Sequence, residues 1–223
     1  MHLSESDHAL VAEAVTRAEQ ATDGEIVTVV AARSDSYGDV ATHWALLATL
    51  SLLAAFVIWP TLPEWLYLQV SGDWSPSIAA RSLYEVVLLS AAVVFVAAWA
   101  VMRWPPLRMA LTPPPTKARR VHRAALSLFR ATVERRTRAA TGVLLYVSLA
   151  EHRAELIAEA AIHSRVDQAV WGEAMNALVS QIRDGRPGQG IADAVAQVGI
   201  VLAEHFPRGA NDANELPDRL IEL

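Results

Sequence analysis

The chain has 223 residues, 53% of them hydrophobic, no cysteine, and a formal net charge of −5 at neutral pH. The charge gives no case for nucleic acid as a partner, and the missing cysteines exclude disulfides and thiolate metal sites. The hydrophobic excess sits in the middle third, where two almost uncharged runs interrupt an ordinary composition, which predicts one soluble module with a membrane anchor inside it.

Ser4 to Gln20 reads as a helix. Ser4 with Asp7 three positions later forms a capping box with Asp in place of the usual Glu, and Val11, Ala14, Val15 and Ala18 recur on one face. Asp23-Gly24 is expected to stop it, the glycine taking a left-handed turn. The opening MHLSESDHALVAEAV has no basic stretch leading into an apolar core, so it does not read as a secretion signal. Glu25 to Ala32 (EIVTVVAA) is short and rich in β-branched residues, which predicts an interior strand. Ser34 to Asp39 is turn-like and leads into a helix.

The first apolar run, His43 to Trp59, contains no Asp, Glu, Lys or Arg. The second, Tyr84 to Trp104, carries only Glu85 and Arg103 near its ends. Crossing the hydrocarbon core takes about 17–25 residues, and Trp44, Trp59, Tyr84, Trp99 and Trp104 fall where interfacial aromatics belong. Both runs are therefore predicted to be transmembrane helices rather than a buried hairpin of a soluble core. Between them, Pro60 to Ser82 is a connection, with Leu62, Trp65, Leu66 and Leu68 suited to the headgroup region. Pro105, Pro106 and Pro113 to Pro115 predict a stiff, extended linker over residues 105–116.

Lys117 to Arg138 reads as a basic amphipathic helix with Val121, Ala124, Ala125, Leu128, Phe129 and Thr132 as its buried stripe. Gly142 to Leu149 (GVLLYVSL) is a second strand. After a turn at Ala150 to His152, Arg153 to Ala158 alternates charged and apolar residues and is expected to pair with it as a hairpin. Val166 to Asp184 is a helix with Val170, Ala174, Leu178 and Ile182 inward, closed by Gly185 and Pro187. Gly190 to His205 is another, with Ile191, Val195, Val198 and Leu202 inward. Residues 207–223 read as a polar tail that ends in PDRLIEL.

Arg81 is the only Lys or Arg between the two runs, whereas Arg103, Arg108, Lys117, Arg119, Arg120 and Arg123 follow them. The positive-inside rule puts the connecting loop outside and both termini in the cytoplasm, and the same six residues are placed to face anionic lipid. Two spans return the chain to its starting side. The lone strand before them and the hairpin after them then share a compartment, and a lone strand has no stability of its own. The expected fold is one α/β domain, built from residues 1–41 and 117–206, interrupted by a two-helix transmembrane hairpin within residues 42–104.

Chemistry is less legible. No G-x-S-x-G, cysteine nucleophile or phosphate loop is present. GRPGQG at Gly185 to Gly190 precedes a helix whose N-terminus can hold an anion, although an inter-helix turn explains it more plainly. Glu151, His152, Glu155, Glu159 and His163 form the best polar cluster. His152 among acidic neighbours has the chemistry of a metal ligand or general base, and exposed hairpin polarity is the competing reading. Asp23, Asp35 and Asp39 flank the first strand and would offer oxygen ligands to Ca²⁺ or Mg²⁺ if they met at the sheet edge. Asp212, Asn214 and Glu215 lack the glycine and spacing of an EF-hand loop and read as solvated tail. The spans carry no buried ionisable residue that would mark a transport pathway.

The strand EIVTVVAARSDSY, the run RRVHRAALSLFRATVERRTRAATGVLLYVSLAEHRAELIAEAAI and the closing NELPDRLIEL resemble the TPM domain family. The closer resemblance is to its bacterial membrane version, in which two spans interrupt the domain. It covers residues 1–40 and 117–223, and its most specific piece is the Thr-Gly-Val-Leu strand followed by the Ala-Glu-His-Arg turn. The resemblance implies a small mixed sheet flanked by helices, a bacterial inner-membrane location, and a domain that serves membrane complexes. Plant and cyanobacterial members are associated with photosystem II repair, an animal member modulates a receptor channel, some members are called acid phosphatases, and relatives bind calcium. Two functions are therefore expected. One is a non-enzymatic accessory or assembly factor, with the bilayer and another membrane protein as partners. The alternative is a membrane-anchored, phosphatase-like hydrolase that combines a divalent cation with His152, His163, Glu151 and Glu155.

Overall fold

The computed structural model describes residues 3–72, 78–134, 141–209, 216 and 218–223. It forms two units, one of Met1–Asp35 with Pro113–Leu223 and one of Ser36–Thr112. In chain order the elements are α1 (Glu5–Glu19) and β1 (Glu25–Ala31), then α2 (Gly38–Ile58), α3 (Thr61–Ser71), α4 (Ala80–Val101) and α5 (Pro105–Ala110) of the second unit. The chain then re-enters the first unit as α6 (Pro114–Thr132), β2 (Gly142–Ser148), β3 (Arg153–Ala158), α7 (Ala160–His163), α8 (Gln168–Arg183), α9 (Pro187–His205) and β4 (Ile221–Glu222).

The capping box forms as the sequence predicts. The Asp7 N–H donates to Ser4 Oγ at 3.2 Å, and the Ser4 N–H donates to the Asp7 carboxylate at 3.0 Å. The helix stops at Gln20 in ordinary helical backbone, so Gly24 is not a left-handed stop. What Gly24 supplies is room, since a Cβ there would lie 2.9 Å from Leu202 Cδ1.

Every residue of β1 and β2 is buried. The two strands run parallel, in register from Glu25↔Gly142 to Ala31↔Ser148. Parallel strands need a crossover of a dozen or more residues; here it contains the whole second unit and α6. β3 returns antiparallel along β2, from Val143↔Ala158 to Ser148↔Arg153. The mixed sheet has the order β3-β2-β1-β4, which is the α/β fold that the resemblance implies.

Strand alternation gives the sheet two packed faces. Ile26, Val30, Leu145 and Val147 pack in one cluster with Val15 of α1, Leu178 of α8 and Ile191, Val195 and Val198 of α9. Val27, Val29, Leu144 and Tyr146 pack in the other with Val121, Ala125 and Phe129 of α6, while Ala124 and Leu128 sit at its margin.

Three further expectations need correction. The extended linker is instead two helix starts: Pro105 and Pro106 open α5, and Pro114 and Pro115 open α6. Proline fits there because the first-turn N–H has no partner to lose. The polar tail contributes a strand, with β4 beside Val29 and Val30 of β1, Leu223 N–H donating to Val30 O at 2.8 Å, and Leu216 and Leu220 buried. Residues 210–215 and 217, which include Asp212, Asn214 and Glu215, lie outside the described residues. On α8 the inward position is Trp171, while Val170 is exposed; the helix begins two residues later than predicted.

In the second unit, α2 and α4 have 21 and 22 residues and are long and apolar enough to cross a membrane. They pack on each other as a hairpin. Leu88, Leu89, Val93 and Val96 of α4 are exposed, which is unlike the core helix of a soluble protein.

Gly199 of α9 shows how closely α1 and α9 approach: a Cβ there would lie 2.5 Å from Ala18 Cβ. Glycine to alanine in a helix interior normally stabilises by about 1 kcal/mol. Here Gly199→Ala should instead destabilise by about 1–3 kcal/mol through overpacking, and Ala18→Gly should restore much of the loss. Denaturant unfolding of both variants checks the sign.

Candidate functional site

Ligands of open sheets with parallel strands meet the carboxyl ends of those strands. At that end of β1 and β2 four polar side chains form a chain of hydrogen bonds. Ser34 Oγ donates to Ser148 Oγ at 2.8 Å, and Ser148 Oγ donates to the Glu151 carboxylate. Ser34 spends its only hydroxyl proton on Ser148, so the Tyr146 hydroxyl, 2.9 Å away, is the donor to Ser34. Burial, opposed by the bond to Ser34, pushes the Tyr146 phenol above its ordinary value and keeps its proton in place. The Ser34 N–H also donates to Glu151 at 3.1 Å. Through Ser34 the group ties the ends of β1 and β2 together, and because Glu151 and Ser148 are buried it is closed to a substrate.

One step along the chain, Asp35 meets Arg120 of α6 at 3.0 Å. Asp35 is the last residue of the first unit before the hairpin, and Pro113 is where the chain returns. The ion pair therefore joins the outgoing and returning segments.

The predicted site residues do not converge. His152 sits exposed in the β2–β3 turn with φ +48°, and His163 is exposed at the end of α7. β3 separates them by about 17 Å of strand. Glu155 bonds to His122 at 3.2 Å. Glu159 is buried and accepts the Gly142 N–H at 2.9 Å, so the reading of Glu151 and Glu159 as exposed hairpin polarity is corrected. Asp23 accepts the Gly209 N–H at 2.6 Å at the amino end of β1, about 20 Å of strand from Asp35. Asp39 lies in the first turn of α2, in the other unit. Among the described residues no three His, Asp or Glu side chains gather closely enough to hold a metal ion. Of the basic residues, Lys117, Arg119, Arg120 and Arg123 lie on α6, Arg108 on α5, and Arg103 over the Trp99 ring at 5.1 Å.

The glycines of GRPGQG serve packing. A Cβ at Gly188 would collide with the Asp7 carboxylate. The anion against the first turn of α9 is thus the protein's own, held below the ordinary carboxylate range by its bonds to Ser4.

Sequence reasoning missed a second polar group, at the amino end of β1. Glu25 is buried and accepts the Leu216 N–H at 3.2 Å, Glu19 accepts the Ile26 N–H at 2.8 Å, and Thr16 donates to Asp218 at 2.9 Å. Burial, opposed by the Ile26 bond and reinforced by Asp218 and Glu25, pushes Glu19 up to about 8. The only hint in the sequence is the recurrence of acids around a strand start.

A sequence model of the TPM domain matches residues 109–201. Among solved structures, the NMR structure of the BA42 protein from the psychrophilic bacterium Bizionia argentinensis is similar, at 16% identity and a TM-score of 0.56, over 100% of this chain and 97% of that one. At that identity the likeness is one of fold. No curated protein matches the chain.

The Glu19 carboxyl gives a pH dependence with a fixed sign. Its folded value of about 8 exceeds the ordinary 4.5, so the folded state holds the proton more tightly. That stability is full below 4.5 and is lost as pH rises toward about 8. Glu19→Gln keeps an acceptor for the Ile26 N–H and should flatten this decline. Unfolding free energies of both proteins across that range check it; parallel curves would contradict it.

Proposed function

We propose that this chain, in which residues 109–201 match the TPM domain and two helices are long and apolar enough to cross a membrane, is a non-enzymatic accessory or assembly factor for a membrane complex. The observation that carries the reading is the parallel pairing of β1 with β2 across the hairpin. A domain on one flexible tether samples many orientations. This one has two chain connections, and the Asp35–Arg120 ion pair links the segments that make them. Such a domain suits presentation of a surface to a protein in the same membrane. The dispersal of His152, His163, Glu151 and Glu155 also favours binding over hydrolysis, because Glu151 is committed to Ser148 and Ser34, and Glu155 to His122.

The location that fits is the bacterial inner membrane, with both termini in the cytoplasm, on the asymmetry between Arg81 and the six basic residues from Arg103 to Arg123. Compartment-specific reporters fused at Leu223 and in the loop at Gly72 test this. The cytoplasmic reporter should work at Leu223 and the exported one at Gly72; the reverse would invert the topology.

Hydrolysis is tested with purified full-length protein and phosphate esters in Ca²⁺, Mg²⁺ or Mn²⁺. His152 has a left-handed backbone, so His152→Asn, which tolerates that conformation, is a cleaner probe than alanine. No turnover above background is expected in either protein. General acid–base groups contribute about 10²- to 10⁴-fold, so turnover that collapses in the variant would overturn the accessory reading. Co-purification from mild detergent should recover a membrane protein as partner.

A further inference from the structure

We propose that the outward face of α6 is a contact surface for anionic phospholipid, formed by Arg119, Arg123 and Arg130. The proposal rests on the membrane anchoring argued above and assigns that anchored domain a lipid specificity.

At about 100° per residue, these three arginines fall within about 40° of one another on the side of the helix away from Val121, Ala125 and Phe129. All three are exposed, and they form a stripe about 16 Å long. Arg120, which the sequence groups with them, is engaged with Asp35 and its side chain is only 17% exposed. His122, on a flank of the helix, meets Glu155. Among the described residues, Lys117, Arg119, Arg123 and Arg130 form no ion pair.

The surrounding sequence sharpens the charge. From Arg103 to Val133 there are seven Lys or Arg and no Asp or Glu, in a chain whose net charge is −5. The basic segment begins beside the last long apolar helix, and Arg119 lies seven residues along the chain from Thr112, the end of the hairpin unit. A basic segment that follows a span along the chain is attracted to an anionic leaflet, and the planar guanidinium pairs with phosphate through two hydrogen bonds. Each such residue shifts the equilibrium roughly five-fold, so three shift it roughly a hundredfold.

The chain has no cysteine, so Ser127→Cys, exposed beside the stripe, takes a single fluorophore. Full-length protein is reconstituted into nanodiscs of phosphatidylcholine alone and of phosphatidylcholine with phosphatidylglycerol, and quenching by neutral acrylamide is measured. The proposal expects several-fold less quenching with phosphatidylglycerol, reversal by high salt, and loss of the protection in Arg119→Gln/Arg123→Gln/Arg130→Gln. The matching triple lysine variant keeps the charge and should keep most of the protection. Equal quenching in the two bilayers, or protection that survives the glutamine variant, would overturn the lipid surface while leaving the anchoring intact. Failure of the chain to insert in either disc would overturn both.

Discussion

The fold depends on one strand pairing. β1 brings seven buried residues to the sheet, and the strand along its whole length is β2, which the chain reaches only after the second unit. Neither strand is viable as an isolated segment, because a buried row of unpaired backbone N–H and C=O groups costs several kcal/mol. The residues before and after the hairpin must therefore fold together, and the hairpin becomes part of a crossover. An ordinary crossover closes a sheet; this one also fixes where an apolar pair of helices attaches to it.

The two ends of the paired strands are managed differently. At the carboxyl end, a hydrogen-bond chain from Tyr146 through Ser34 and Ser148 to Glu151 satisfies a buried carboxylate, and the Asp35–Arg120 pair lies next to it in sequence. At the amino end, Glu19 and Glu25 bond the backbone of β1 and of the C-terminal segment. Buried polar groups are tolerated only with partners, and here Ser34 reaches Glu151 and Leu216 reaches Glu25 from segments remote in sequence. These contacts specify which segments meet. That is a structural role, and it includes Glu151 and Asp35, two of the polar residues the sequence offers for a site.

What the sequence reveals follows from how local each signal is. The Ser4–Asp7 box, the β-branched run at Glu25 and the 3.6-residue pattern of Ile191, Val195, Val198 and Leu202 lie within a few turns or one strand, and each was legible. β4 was not, because two residues have no periodicity of their own and become a strand only beside Val29 and Val30. Pro105 and Pro114 are ambiguous in the sequence because proline suits both an extended linker and the first turn of a helix. Gly24 and Gly188 look like turn and helix-start residues, and Gly199 like an ordinary helix position, yet each makes room for a side chain from a distant element. For the polar cluster, Glu151 and His152 are adjacent in sequence, but one is buried against Ser148 and the other faces solvent. Adjacency on a turn carries no information about burial.

The most direct test of this account is a disulfide across the β1–β2 register in the full-length, otherwise cysteine-free chain. Thr28 and Leu145 are partners in the parallel ladder, and neighbouring strands bring such residues to about 5 Å, within disulfide reach. Thr28→Cys with Leu145→Cys should oxidise to a bond within one chain, whereas Thr28→Cys with Leu144→Cys, which points to the opposite face, should not. Equal crosslinking of both pairs, or bonds formed only between chains, would contradict a single domain assembled across the hairpin.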